Sequence, residues 1–330
     1  MQHEIRNNYT CLDANKNYMY VISIRCVIIV AVSLLFMIIA SLVGMKYGEF
    51  TQTRAASFVA IVITPLCYLL FYFFYHKKNS IKIWQKPKFN ILYLLIAILF
   101  AGICVFAIAP ITNWISVLLQ KLGYNANNDL TYNMDTWWRI CFGFIGYAIL
   151  PAIAEELIYR RVMLNGFLTK HSVKASVVMV AILFTLMHGS LNQFFYQLIL
   201  GLILTILAYV TGSIMYSVVM HLLNNAVIIT LSLTNSMYLV EGNAIMSHYG
   251  WNILLYTLIF VAGVMLILCI LYLMNKYKHT KTAPENIIVK DNVFNFTKAQ
   301  NSVENGYFYM SIIVATVIWI TNTITGWLNI

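Results

Sequence analysis

Charge is scarce in this chain. Only 10% of its 330 residues are charged, against about 25% in a soluble globular protein, while 61% are hydrophobic and the mean hydropathy is +0.77. That balance excludes a soluble enzyme and leaves no room for a sizeable soluble domain. Proline is equally sparse, at five residues, and no repeat or low-complexity tract is evident. The six cysteines (Cys11, Cys26, Cys67, Cys104, Cys141 and Cys269) show neither a CxxC nor a paired spacing. A disulfide framework or a cysteine-based metal knuckle is therefore not expected. There is no HExxH, no Gly-Asp pair of the aspartyl-protease type and no serine-nucleophile motif in an apolar helix. Paired Gly- or Pro-broken helices in two related halves, the mark of many transporters, are missing as well.

What the chain has is apolar length. A membrane span needs about 20 predominantly apolar residues. By that rule the sequence predicts an all-α, polytopic integral membrane protein with about nine transmembrane helices, eight to nine in range. The spans begin near Met19, Ala55, Phe89, Trp137, Val173, Phe194, Ile214, Trp251 and Tyr307. The first is too long for a signal-peptide core and is read as a retained helix, with Arg25 close enough to its start to snorkel.

The net charge of +10 would suit nucleic acid, but the basic residues lie beside apolar helices, where the positive-inside rule accounts for them. No nucleic-acid partner is expected. Lys77, Lys78, Lys82, Lys86 and Lys88 follow the second span, Arg160, Arg161, Lys170 and Lys174 the fourth, and Lys276, Lys278, Lys281, Lys290 and Lys298 the eighth. With nine alternating spans all of these share one side with Arg6 and Lys16. Only Lys46, Arg54, Lys121 and Arg139 fall opposite. The N-terminus is expected inside and the C-terminus outside. The Ile-, Asn- and Lys-rich composition points to an AT-rich bacterial genome, and so to a bacterial cell membrane with a cytoplasmic N-terminus. Asn8-Tyr9-Thr10 and Asn295-Phe296-Thr297 match the glycosylation pattern but fall on the inner side and are discounted.

The chain divides into N-terminal helices and an outer linker (1–136), a core (137–233) and C-terminal helices with an inner loop (234–330). In the linker, Trp114, Leu118 and Leu122 recur at helical spacing before NANNDLTYN, which predicts a short helix on the membrane surface.

Polar residues interrupt the apolar helices in three places. Glu155 and Glu156 with Arg160 lie in ILPAIAEELIYRRV, His188 closes Phe184-Thr-Leu-Met-His188, and His221 opens His221-Leu-Leu-Asn-Asn225. An ionisable group at the centre of a span costs roughly 2.5 to 3.5 kcal/mol on the insertion scale, so such groups are usually kept for function. Positions i and i+4 share a helix face. His221 with Asn225, and Phe184 with His188, therefore each point one way. At about 1.5 Å of rise per residue, these residues and Glu155 lie roughly 12 to 22 Å from their inner helix ends, which permits one shared site. Glu156 and Arg160 stand at i,i+4 in the favourable order for an ion pair, which assigns Glu156 a structural role. Glu155 points about 100° away and is left to act. Apolar surroundings disfavour its charged form, which suits it to take a proton from water. Taken singly, an intramembrane histidine, or Asn224 or Asn225, serves as well to join helices, and Phe184 as a core aromatic.

In that order, Glu155-Glu156-Leu-Ile-Tyr-Arg160, Phe184-Thr-Leu-Met-His188 and His221-Leu-Leu-Asn-Asn225 resemble the EExxxR, FxxxH and HxxxN motifs of the CPBP intramembrane protease family. That family includes the type II CAAX prenyl endopeptidases and the bacterial Abi proteins. The resemblance covers roughly residues 140 to 230; Arg161 departs from the glycine that many members carry. It implies peptide-bond hydrolysis within the membrane, with the bilayer and a membrane-associated protein or peptide as partners. Glu155 and His188 would activate water, His221 and Asn225 would stabilise the oxyanion, and Glu156 with Arg160 would brace the site. A divalent metal such as zinc on Glu155, His188 and His221 would be a His₂Glu set, whereas a metal-free glutamate mechanism leaves Glu155 as the base and is slightly favoured. The alternative is a non-catalytic immunity or scaffold protein that retains the fold. Substrates in such a family extend from prenylated CAAX proteins to peptide leaders, pheromones and bacteriocins.

Overall fold

The computed structural model describes residues 11–51, 53–79, 89–124, 134–233, 250–281 and 302–328. Among them every regular element is helical: α1 (Cys11–Leu42), α2 (Tyr47–Thr51), α3 (Arg54–Asn79), α4 (Ile91–Lys121), α5 (Trp137–Leu168), α6 (Val173–Leu186), α7 (Leu191–Thr211), α8 (Ile214–Leu233), α9 (Gly250–Lys281) and α10 (Ser302–Leu328). Both glycosylation patterns, NANNDLTYN and most of the expected inner loop lie outside the described residues.

Among the described residues eight helices are long and apolar enough to cross a membrane, which makes this an all-α polytopic membrane protein. The expected fifth span is the exception. Helix α6 has 14 residues and reaches about 21 Å, short of the roughly 30 Å of hydrocarbon. Its start is capped by Ser172, whose hydroxyl accepts the Ala175 N–H. Its end is forced by Gly189, at φ +62°, where an added Cβ would fall 2.7 Å from Asn322 Nδ2. Gly212, at φ +67°, likewise closes α7 and lets α8 start two residues later.

The expected surface helix is a second correction. Trp114 and Leu118 continue α4, which runs unbroken to Lys121. The chain stays helical because the backbone widens to i→i+5 bonding across Cys104–Ile108 and Pro110 sits in the turn that follows, where its missing N–H is tolerated.

Helices α6 and α7 form an antiparallel hairpin, α8 packs on α4 and α5, α3 lies between α1 and α5, and α1 packs on α10. Two apolar cores result. One joins α1, α5 and α6 through Tyr18, Ile22, Ile158, Met163, Phe167 and Leu183. The other joins α4, α7, α8 and α9 through Phe100, Ile108, Leu204, Leu207, Met220 and Ile267. The polar clusters lie along the seam between them.

Candidate active site

Helix α5 is not a uniform α-helix where it carries the glutamates. Its backbone takes i→i+5 bonds over Phe144–Ile149 and again over Leu157–Met163, with an α-helical stretch, Leu150–Glu156, between them. Such π-turns recur at functional sites. Pro151 lacks the N–H that would reach Tyr147 O in a regular helix. Asn225 Nδ2 on α8 donates to that carbonyl instead, at 3.1 Å. Asn225 Oδ1 accepts from Asn224 Nδ2, and Asn224 Oδ1 accepts from Tyr196 Oη. One N–H of Asn225 is thus committed to holding α8 on α5.

Glu156 and Arg160 are fully buried and meet at 2.6 Å. The same Oε1 of Glu156 accepts from His221 Nδ1 at 3.0 Å, and Ser217 stands beside this carboxylate one turn before His221. Arg160 Nη2 donates to Gly201 O at 3.3 Å, and its guanidinium lies 4.5 Å above the Phe184 ring. Gly201 permits this approach of α6 and α7: a Cβ there would come 3.1 Å from Phe184 Cδ1 and 3.3 Å from Ala181 Cα. Phe184 also packs against both histidine rings, at centroid distances of 4.8 Å (His188) and 5.9 Å (His221).

Glu155 faces the other way, as its offset around the helix predicts. Its Oε2 lies 4.0 Å from His188 Nε2 and 4.0 Å from His221 Nε2. It is buried and has no hydrogen-bond partner. The tautomers follow from the far nitrogens. His188 Nδ1 lies 2.8 Å from Phe184 O, a carbonyl that can only accept, so Nδ1 carries the proton. His221 Nδ1 likewise donates to the Glu156 carboxylate. With both rings neutral, each turns a bare Nε2 lone pair towards Glu155. Three acceptors converge on one point with no donor among them.

Such a point calls for a water or a cation. A water at about 2.8 Å from each neighbour spans gaps of 4.0 Å comfortably. The donor set is one that zinc accepts, but tetrahedral coordination at bond lengths near 2.1 Å holds its ligands about 3.4 Å apart. These atoms stand wider than that. Among the described residues no group of three His, Cys, Asp or Glu is close enough to hold a metal ion.

Arg25, expected near the start of its span, hydrogen-bonds within the protein: its Nη1 donates to Met187 O at 2.9 Å, next to His188, and lies 3.5 Å from Tyr68 Oη. It interacts electrostatically with Glu155 and His188. The sequence reading missed its place, and missed Gly201. A lone arginine in MYVISIRCVIIV was the available signal for the first; nothing local marks the second. Arg161, where the motif departs from glycine, is half-buried on the side facing Tyr72.

Of the seven motif residues, Glu155, Glu156, Arg160, Phe184, His188 and His221 therefore meet, from α5, α6 with the turn that follows it, and α8, while Asn225 ties α8 to α5 at Tyr147 O. Comparison with known families finds residues 137–227 matching one described as "Type II CAAX prenyl endopeptidase Rce1-like". Comparisons with curated proteins and with solved structures gave no match. The matched segment begins at the first residue of α5 and ends just beyond Asn225, so it contains all three motifs and no part of α1. This match over residues 137–227 supports the resemblance of that segment to the CPBP/CAAX protease family.

Proposed function

We propose that the protein is an intramembrane endopeptidase that hydrolyses a peptide bond in a membrane-associated protein or peptide. The observation that carries this reading is the unpartnered Glu155 Oε2 facing two imidazole lone pairs, each 4.0 Å away. A water between them gives its proton to Glu155, aided by His188, and its oxygen attacks the scissile carbonyl carbon. The proton then passes to the leaving amine as the C–N bond breaks. Glu156 fixes the tautomer of His221 while Arg160 neutralises Glu156, so the ring is oriented by a buried ion pair. His221 donates to a developing oxyanion only when Nε2 carries a proton; the second N–H of Asn225 is the other motif donor. One water thus brings two protons to three acceptors.

The spacing favours water over zinc, and no step is routed through a metal. Strong chelators should leave activity intact. Stoichiometric zinc lost in both His188→Ala and His221→Ala, with activity silenced by chelation, would overturn that choice. The primary test is substrate proteomics on cells carrying wild type or Glu155→Gln. Membrane proteins cleaved only by wild type support the protease reading; identical proteomes favour a non-catalytic immunity or scaffold role. The proposed orientation, N-terminus inside, is checked with single cysteines at Asn165 and Lys170, which should react with an impermeant thiol reagent only from the inner side.

A further inference from the structure

Helix α1 lies wholly outside the segment that matches the family, yet it places a cation beside the candidate site. Arg25 uses Nη1 for Met187 O, and for the longer contact with Tyr68. Its Nε is buried with no partner. It forms no ion pair within 4.0 Å among the described residues, although it interacts electrostatically with Glu155. A guanidinium has five N–H donors, so most of this one's capacity is unused. A simple strut between α1 and the end of α6 would account for the Met187 bond. It would not call for a permanent charge, which is costly in hydrocarbon.

The motif residues show where donors are short. The Nδ1 protons of both histidines are committed, their Nε2 atoms present lone pairs, and one Asn225 N–H holds Tyr147 O. We propose that Arg25 is a catalytic residue contributed by α1, donating to the oxyanion of the tetrahedral intermediate. The inference rests on the protease reading above. In the forward step the water proton moves to Glu155 Oε2, the new C–O bond forms, and the carbonyl π pair moves onto oxygen. Negative charge leaves Glu155 and appears on the substrate. Arg25 makes no direct contact with ionised Glu155 but gains a charge-assisted hydrogen bond to the oxyanion. The interaction is thus stronger in the transition state than in the ground state, the condition for raising kcat. Collapse then expels the amine, which takes the proton from Glu155, and Arg25 ends the cycle unchanged.

The test uses the full-length protein in detergent and an internally quenched peptide that wild type cleaves, selected from a library. Arg25→Gln keeps a donor for Met187 O but removes the charge. Its kcat should fall about 10²- to 10³-fold, as for loss of one oxyanion donor, with KM within about twofold. Arg25→Lys should be intermediate, guanidinium ion should partly rescue Arg25→Ala, and a peptidyl phosphonate mimic of the intermediate should lose affinity in step with kcat/KM. A raised KM with intact kcat would make Arg25 a ground-state anchor and overturn the proposal. So would equal losses of kcat and Tm in the Gln and Lys variants, the signature of a strut. An active wild type with unaltered Arg25 variants strikes only this inference, whereas a wild type that cleaves nothing strikes the protease reading and this inference with it.

Discussion

The core helices and the flanking helices are both strongly apolar but use that property differently. Far more of α5 and α7 is buried than of α1, α9 or α10. The C-terminal half of α1 presents Val27, Val30, Leu34, Leu35 and Ile38 to its surroundings, and α9 presents Leu254, Leu258, Met265 and Leu273. In the core, by contrast, Glu156, Arg160, Ser217, His221 and Asn224 are all buried. Lipid tails are as apolar as leucine, so apolar side chains alone do not choose partners in a bilayer; small residues and hydrogen bonds do. The core is specified by its polar groups and close approaches, the periphery mainly by length and hydropathy. Arg25 crosses that division, since the N-terminal half of α1 behaves as core and the C-terminal half as periphery.

The comparison breaks most visibly at Glu155. Glu155→Gln should cost about 10²- to 10⁴-fold in turnover, the range for loss of a general base, with Tm unchanged because no structural charge is unpaired; peptide cleavage and thermal melts of the same samples check both. Glu156→Ala, one residue away, should act on the fold instead. It strands Arg160 and takes the acceptor from His221 Nδ1, and breaking a buried pair costs about 3 to 5 kcal/mol, measurable by unfolding in detergent. Gly201→Ala should cost about 1 to 3 kcal/mol by overpacking, since its Cβ would press on Phe184 and the Ala181 backbone, and should lower activity by shifting Phe184 against both histidines. At the small end, Leu35→Ala on the C-terminal half of α1, where the side chain is exposed, should stay within about 0.5 kcal/mol. A large loss there would show that this face is covered rather than lipid-facing.

The site residues were legible because each broke a local rule. Two carboxylates in ILPAIAEELIYRRV, and histidines four residues from Phe184 and Asn225, stand out against apolar helices, and i,i+4 geometry sorts Glu155 from Glu156 before any fold is known. Arg25 broke the same rule but sits near a span's start, where snorkelling is the ordinary explanation. Gly201 broke none, as glycine is common in membrane helices. The length of α6 was misjudged because the apolar run from Val173 was taken as a full span, while the turn at Gly189, held by Asn322 of α10, ends the helix early.

By itself the sequence determined that the chain is a helical membrane protein, which polar residues are candidates for its chemistry, and which glutamate is paired, because hydropathy and helix periodicity are local properties. Only the tertiary structure decided that the far nitrogens of both histidines are anchored so that bare lone pairs face Glu155. It also decided that Asn225 relieves the gap left by Pro151, and that α1 brings Arg25 to the site. These depend on which carbonyl, carboxylate or cation a neighbouring helix presents at a given height, and no local pattern along one helix encodes the height of another.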